Sequence, residues 1–150
     1  MMGYYGRPDL TAEVMTEDGW FRTGDIGKIL EGGYLKITDR KKEIFKTSGG
    51  KYIAPQNMEN VFKESPFIEQ CMVAGENKKF AVLLIQPQFD FIASWCVRKK
   101  IKFISNEEIV KNPEVISRIN KEIEAKNEQF AKWEQVKKIY VCNEAWTIPS

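Results

Sequence analysis

Near the start of the chain, apolar and polar positions alternate on both sides of a glycine-bearing loop. IGKIL at 26–30, the turn EGG at 31–33 and YLKIT at 34–38 predict a β-hairpin. Ahead of it, TEDG at 16–19 is turn chemistry, and Trp20-Phe21 opens an aromatic strand. Pro55 suits the first turn of a helix through Asn57, Met58, Val61 and Phe62, which Ser65-Pro66 stops. Two strands follow, FIEQCMVAGE and KKFAVLLIQP, joined at Asn77. The second is apolar on successive residues, which predicts burial on both faces. QFDFIASWCVRKK predicts a helix, and Asn106 is the expected cap of a short one through Glu107 and Glu108. Asn112 as cap, Pro113 in the first turn and Glu114 near the positive end of the dipole open a long helix. Its apolar positions Ile116, Ile119, Ile123 and Phe130 keep helical spacing, with Asn127 interrupting the stripe. KKIYVC at 137–142 returns to strand.

The order is a β-rich piece to about residue 38, a basic joint, and then β-α-β-β-α-α-β. Strands interspersed with helices, among them a hairpin of buried strands, predict an α+β fold. There is no internal repeat. MMGYYG begins inside turn chemistry and AWTIPS ends shortly after a strand, so both ends read as cuts in a longer chain.

Composition narrows the function classes. The 150 residues are 43% hydrophobic and 29% charged, the balance of a folded globular protein. A net charge of only +2 gives no general attraction to nucleic acid or anionic lipid. The longest apolar run, FAVLLI at 80–85, falls far short of the ~20 residues of a membrane span. The expectation is therefore a cytoplasmic chain with at most peripheral contact at the inner face of the membrane. Cys71, Cys96 and Cys142 form no CxxC and their odd number gives no disulfide framework, which suits a reducing compartment. The absence of histidine removes Ser-His-Asp and Cys-His catalysis and leaves no familiar zinc set. Chemistry on this chain falls to carboxylates, lysines, arginines and backbone amides.

In GWFRTGDIG at 19–27, Asp25 follows a glycine turn at a strand edge. A carboxylate so placed can accept hydrogen bonds from vicinal hydroxyls, as acidic residues do with ribose, or can simply be a turn residue. In DRKKEIFKTSGGKY at 39–52, SGGK fails as a phosphate-loop motif: Phe45 stands where a glycine is required and Tyr52 where Ser or Thr is. What is left is a turn flanked by Lys46 and Lys51 whose glycines allow a ligand close approach. A solvated charged hairpin is the competing reading. Arg98, Lys99, Lys100 and Lys102 read as a solvated helix end, with no nucleic-acid partner. The four tryptophans, Trp20, Trp95, Trp133 and Trp146, read as packing.

Taken together, GWFRTGDIG and GYLKITDRKKEIFKTSGGKYIAPQNMEN resemble the adenylate-forming ligases, and most nearly the long-chain fatty-acid-CoA ligases. The likeness is strong from residue 3 to about 75 and continues beyond in pattern. It implies a small mobile C-terminal domain, a mixed β-sheet flanked by helices, preceded by a β-hairpin remnant of a large N-terminal domain. Residues 1–38 would be that remnant, 39–42 the hinge and 43–150 the small domain, ending before the adenylation lysine. The implied reaction runs in two steps. A fatty-acid carboxylate attacks the α-phosphate of ATP with Mg²⁺ sharing the charge, and the thiol of CoA then displaces AMP. The resemblance makes Asp25 the ribose-binding aspartate, Arg40 a nucleotide contact, Lys42 the hinge position and Lys51 a residue near the phosphate. Lys46, Ser48, Gly49 and Gly50 fall in the loop lining the pantetheine channel of CoA.

The phosphate loop and acyl tunnel of the family have no counterpart here, and Lys137 and Lys138 precede the position of the adenylation lysine. The chain by itself is therefore expected to be inactive, with ATP, fatty acid, CoA and the rest of its own polypeptide as partners. An aryl or medium-chain ligase, a carrier-protein-loading enzyme and a non-catalytic interaction module stay open as alternatives.

Overall fold

Proline has no N–H to leave unpaired and its fixed φ suits a first helical turn, and α1 (Pro8–Val14) begins at such a proline. Arg7 Nε and a terminal guanidinium nitrogen donate to the Asp9 carboxylate, at 2.9 and 2.6 Å. The helix buries no residue, so no apolar stripe marks it in the sequence. The expected β-rich opening thus also contains a helix. The hairpin is where the alternation places it: β1 (Asp25–Ile29) pairs antiparallel with β2 (Leu35–Arg40), from Asp25 opposite Arg40 to Ile29 opposite Leu35. Strand β2 runs on through Arg40, past the predicted end at 38.

The computed structural model describes residues 1–146, and the final positions of the expected small domain lie outside the described residues. The chain divides into two compact units, Met1–Glu43 with α1, β1 and β2, and a second from Ile44 onward.

The second unit opens with a minimal hairpin, β3 (Phe45–Lys46) against β4 (Tyr52–Ile53). Helix α2 (Pro55–Phe62) buries Pro55, Met58 and Phe62. β5 (Ile68–Ala74) pairs antiparallel with β6 (Val82–Pro87), and β7 (Lys138–Val141) joins the other edge of β6 in parallel, giving a mixed three-stranded sheet. Between β6 and β7 come α3 (Phe89–Lys99), α4 (Asn106–Lys111) and α5 (Pro113–Asn127). The fold is α+β, as the pattern predicts.

Register shows why β6 is not covered on both faces. Val73, Leu83 and Ile139 lie in one cross-strand row on the helix-packed side, where Leu83 is fully buried and Val73 nearly so. The adjacent row, Met72, Leu84 and Tyr140, faces the open side, with Met72 and Tyr140 exposed and Leu84 half-buried. An apolar run can serve one crowded face and one that is only partly covered.

The core joins Ile53, Met58 and Phe62 to Leu83, Ile85, Ile92, Ile119 and Ile123. At its edge the Phe67 ring meets Phe91 and Trp95 edge-on, with centroids 5.1 and 5.9 Å away. The caps are part expected and part not. Asn112 Oδ1 accepts from Glu114 N and Val115 N at 2.9 and 3.4 Å, capping α5. For α4, however, the cap is Ser105, whose hydroxyl accepts from Glu108 N at 3.4 Å, and Asn106 lies within the helix. Ser105 has the extended backbone that a capping residue requires. The buried stripe of α5 is Val115, Ile119 and Ile123, with Ile116 at its margin and Phe130 beyond the helix end, against Phe62 at 5.7 Å.

The residue that interrupts the stripe has a use. Asn127 Nδ2 donates to Val136 O at 2.9 Å and its Oδ1 accepts from Val136 N at 3.1 Å. Lys137 N then donates to Ala81 O at 3.0 Å, and the parallel strand begins.

Candidate functional site

The hairpin of the first unit brings two of the expected nucleotide residues together. Asp25 starts β1 and Arg40 ends β2, and the register sets them opposite each other. Arg40 Nε lies 3.3 Å from Asp25 Oδ1, with the two side chains 64% and 30% exposed. Gly24 just before has φ of +80°, and its carbonyl accepts from Lys41 N at 2.8 Å, closing the ladder beyond Arg40. Asp25 N donates to Thr23 Oγ1 at 3.1 Å. A guanidinium and a carboxylate at one strand end offer both an acceptor for hydroxyls and a donor for an anion. Lys42 follows in the turn that Glu43 N closes on Arg40 O at 3.0 Å. Beside the pair, Asp39 is buried, with Oδ1 accepting from Arg40 N at 2.7 Å.

The second unit brings together the other expected residues. Thr47 N donates to Lys51 O and Gly50 N to Thr47 O, both at 2.9 Å, so Ser48, Gly49 and Gly50 form a three-residue hairpin tip. The Thr47 hydroxyl reinforces the tip, accepting from Lys51 N at 3.3 Å. Gly50 has φ of +77°, which explains glycine there. Gly49 needs no such freedom: a Cβ on it would meet only Thr47 Oγ1, at an ordinary 3.9 Å. The tip is therefore barer than its backbone demands. Two cations flank it. Lys46 Nζ stands 5.5 Å from the Tyr52 ring centroid, and Lys51 Nζ stands 5.3 Å from that of Trp133.

Trp133 corrects the packing assignment. It is 53% exposed, Trp20 is 71% exposed and Trp146 is exposed too, so only Trp95 packs against the core. No pattern in Ala131-Lys132-Trp133 announces the partnership with Lys51, because it spans most of the second unit. The turn at Asn77 is where the sequence places it, but its bonds to the 46–48 segment are not foreseen. Asn77 N donates to Lys46 O and Ser48 N donates to Lys78 O, each at 2.9 Å.

Two cysteine thiols are buried in the core. Burial pushes the Cys71 thiol up to about 12, with the Glu59 carboxylate adding to the rise and Lys63 opposing it. Burial also raises Cys96. Among the described residues no three His, Cys, Asp or Glu side chains gather into a metal-binding set.

The chain is similar to known proteins over nearly all of its length. Long-chain-fatty-acid–CoA ligase 5 of Mus musculus is 41% identical over 149 residues, covering 97% of this chain and 22% of that protein. The peroxisomal long chain acyl-CoA synthetase 6 of Arabidopsis thaliana is 40% identical over 140 residues, 87% of this chain and 20% of that one. The chain thus spans about a fifth of the length of the curated relatives it matches. Among solved structures, the A domain of carboxylic acid reductase from Segniliparus rugosus, in complex with AMP and a co-purified carboxylic acid, shares the fold. Its TM-score is 0.74 at 24% identity, over 97% of this chain and 21% of that one. The AMP-binding enzyme C-terminal domain matches residues 42–146, most of the chain, and the protein belongs to that family.

Proposed function

We propose that this chain is the C-terminal part of an ATP-dependent long-chain acyl-CoA ligase, with a hinge at 39–42 between residues 1–38 and the small domain from 43 onward. In this reading a fatty-acid carboxylate oxygen attacks the α-phosphate of ATP and pyrophosphate leaves, giving an acyl-adenylate. The CoA thiol, losing its proton, then attacks the acyl carbonyl and AMP leaves. The single observation that carries the reading is the Asp25–Arg40 pair, held at 3.3 Å across a hairpin end. Asp25 accepts from the ribose hydroxyls, and Arg40 both orients that carboxylate and faces the anionic nucleotide.

Lys42, in the turn directly after β2, absorbs the backbone change between the two half-reactions. The bare tip Ser48-Gly49-Gly50 admits the narrow pantetheine arm, and Lys46 and Lys51 supply positive charge beside it. Mg²⁺ would share the phosphate charge where ATP binds, and among the described residues no three His, Cys, Asp or Glu side chains gather to hold it. The chain alone has no ligase turnover in this reading, because neither a phosphate loop nor an acyl pocket lies within it. No described helix is long and apolar enough to cross a membrane. Action at the cytoplasmic face with peripheral contact belongs to the same proposal.

The test is Asp25→Ala in the full-length enzyme, with ATP and 2′-deoxy-ATP compared in a double-mutant cycle. ATP binding should weaken by about 1.5–3 kcal/mol, the range for lost hydrogen bonds to a charged group. Loss of the 2′-hydroxyl should then hurt the wild type far more than the variant. Equal responses of the two enzymes to 2′-deoxy-ATP would leave Asp25 with a turn role only.

A further inference from the structure

The hairpin that carries the bare tip is too short to hold itself. Strands β3 and β4 have only two residues each, and an isolated two-stranded ribbon is marginal even when much longer. The outward-facing groups of β3 and of the residues just after it are satisfied elsewhere. Lys46 C=O accepts from Asn77 N–H and Ser48 N–H donates to Lys78 C=O, both at 2.9 Å, so the two bonds straddle Thr47. The turn between β5 and β6 thereby acts as a third strand for the loop.

That turn can present both groups only in an unusual backbone shape. Asn77 has φ of +57°, one of two non-glycine residues in the described chain with positive φ. Gly75 has φ of +147°, and a Cβ on it would lie 2.8 Å from Phe80 O. Lys78 N closes the turn on Gly75 O at 2.9 Å. No side-chain bond of Asn77 contributes. Its value is that asparagine tolerates the left-handed region, where a β-branched residue is an outlier.

We propose that Asn77 is a positioning residue: its left-handed backbone holds the 46–50 loop in the shape that receives the thiol-bearing substrate. The inference rests on the reading of Ser48, Gly49 and Gly50 as the CoA loop. Asn77 touches no substrate. It fixes where Ser48 sits, and a displacement of about 1 Å at a reacting group can cost on the order of 100-fold in rate.

The experiment uses the full-length enzyme with Asn77→Val and Asn77→Gly. Adenylate formation and CoA-dependent thioester formation are timed separately in single turnovers, and hydrogen exchange is followed on peptides containing Ser48. Asn77→Val should speed exchange at Ser48 and slow thioester formation by roughly 10- to 100-fold, with adenylate formation within about twofold. Asn77→Gly, which keeps positive φ without strain, should restore both. Unchanged exchange at Ser48 in Asn77→Val overturns the clamp itself. Faster exchange with both half-reactions intact preserves the clamp but removes the loop from CoA chemistry, and the proposal falls with that assignment. Equal losses in both half-reactions also overturn it, since they indicate general damage. Should Asn77→Val not fold, Asn77→Ala places a single methyl at the same φ and carries the same test.

Discussion

The two units hold their secondary structure for different reasons. From Ile44 onward, hydrogen-bonded elements enclose buried apolar residues: Phe62, Ile85, Ile92 and Ile119 are each 0% exposed. In Met1–Glu43 the ladder of β1 and β2 is as regular, yet Ile29 is 78% exposed and Leu35 68%, and the one buried residue is the carboxylate Asp39. Hydrogen bonding alone returns little, because each backbone bond replaces one to water. Burial supplies the driving force. One unit therefore has a source of stability and the other has only a conformation, with Ile29 and Leu35 left uncovered.

The largest effect to seek is the difference in amide protection across this boundary. On the 150-residue chain, amides of β5 and β6 should exchange only through global opening, on the order of 5–15 kcal/mol. Those of β1 and β2 should open at nearly no cost in free energy. Comparable protection on both sides of Glu43 would abolish the distinction.

Truncation sharpens it. Leu83→Ala, on the central strand with its side chain fully enclosed, should lower unfolding free energy by about 2–5 kcal/mol. Leu35→Ala, the same chemistry on an uncovered strand, should change it by no more than about 0.5 kcal/mol. Denaturant midpoints measure both, and a large loss from Leu35→Ala would mean that the first unit has a core of its own.

The last effect is alkaline. The folded Cys71 thiol stands near 12 against an ordinary value of 9.0, chiefly through burial. The unfolded chain thus loses this proton first, so the contribution is intact below pH 9 and falls away as pH rises toward 12. The slope is at most about 1.4 kcal/mol per pH unit for one proton. Cys71→Ala should flatten the stability curve of the second unit in that window. Identical slopes for variant and wild type would show that burial of the thiol is not what the core penalises.

Much of the second unit is legible in the residue pattern because its elements are long enough to show a period. α2, α3, α5 and the strand pair β5–β6 carry enough apolar positions for that. β3 and β4 show in the sequence only as one expected strand and a charged-hairpin alternative, because two residues cannot display an alternation. α1 escapes because it buries nothing, and Ser105 because a neighbouring asparagine is an equally good cap on chemistry alone. The site residues themselves stand in recognisable motifs, but their company does not. That Asp25 faces Arg40 follows from strand register, and that Lys51 meets Trp133 or Ser48 meets Lys78 follows from tertiary folding. Side-chain identity is local information, whereas proximity across the fold is not.

The amide of Asn127 ties two places that lie apart along the chain. It grips both backbone polar groups of Val136, so the chain two residues before β7 is referenced directly to the end of α5 and not only to the eight residues between them. The row in which Ile139 meets Leu83 is therefore set from Asn127 as well as along the intervening stretch. A slip by one residue would turn the strand's inward side chains outward. The loop carrying Trp133 and the alignment of the sheet are thus anchored through the same amide.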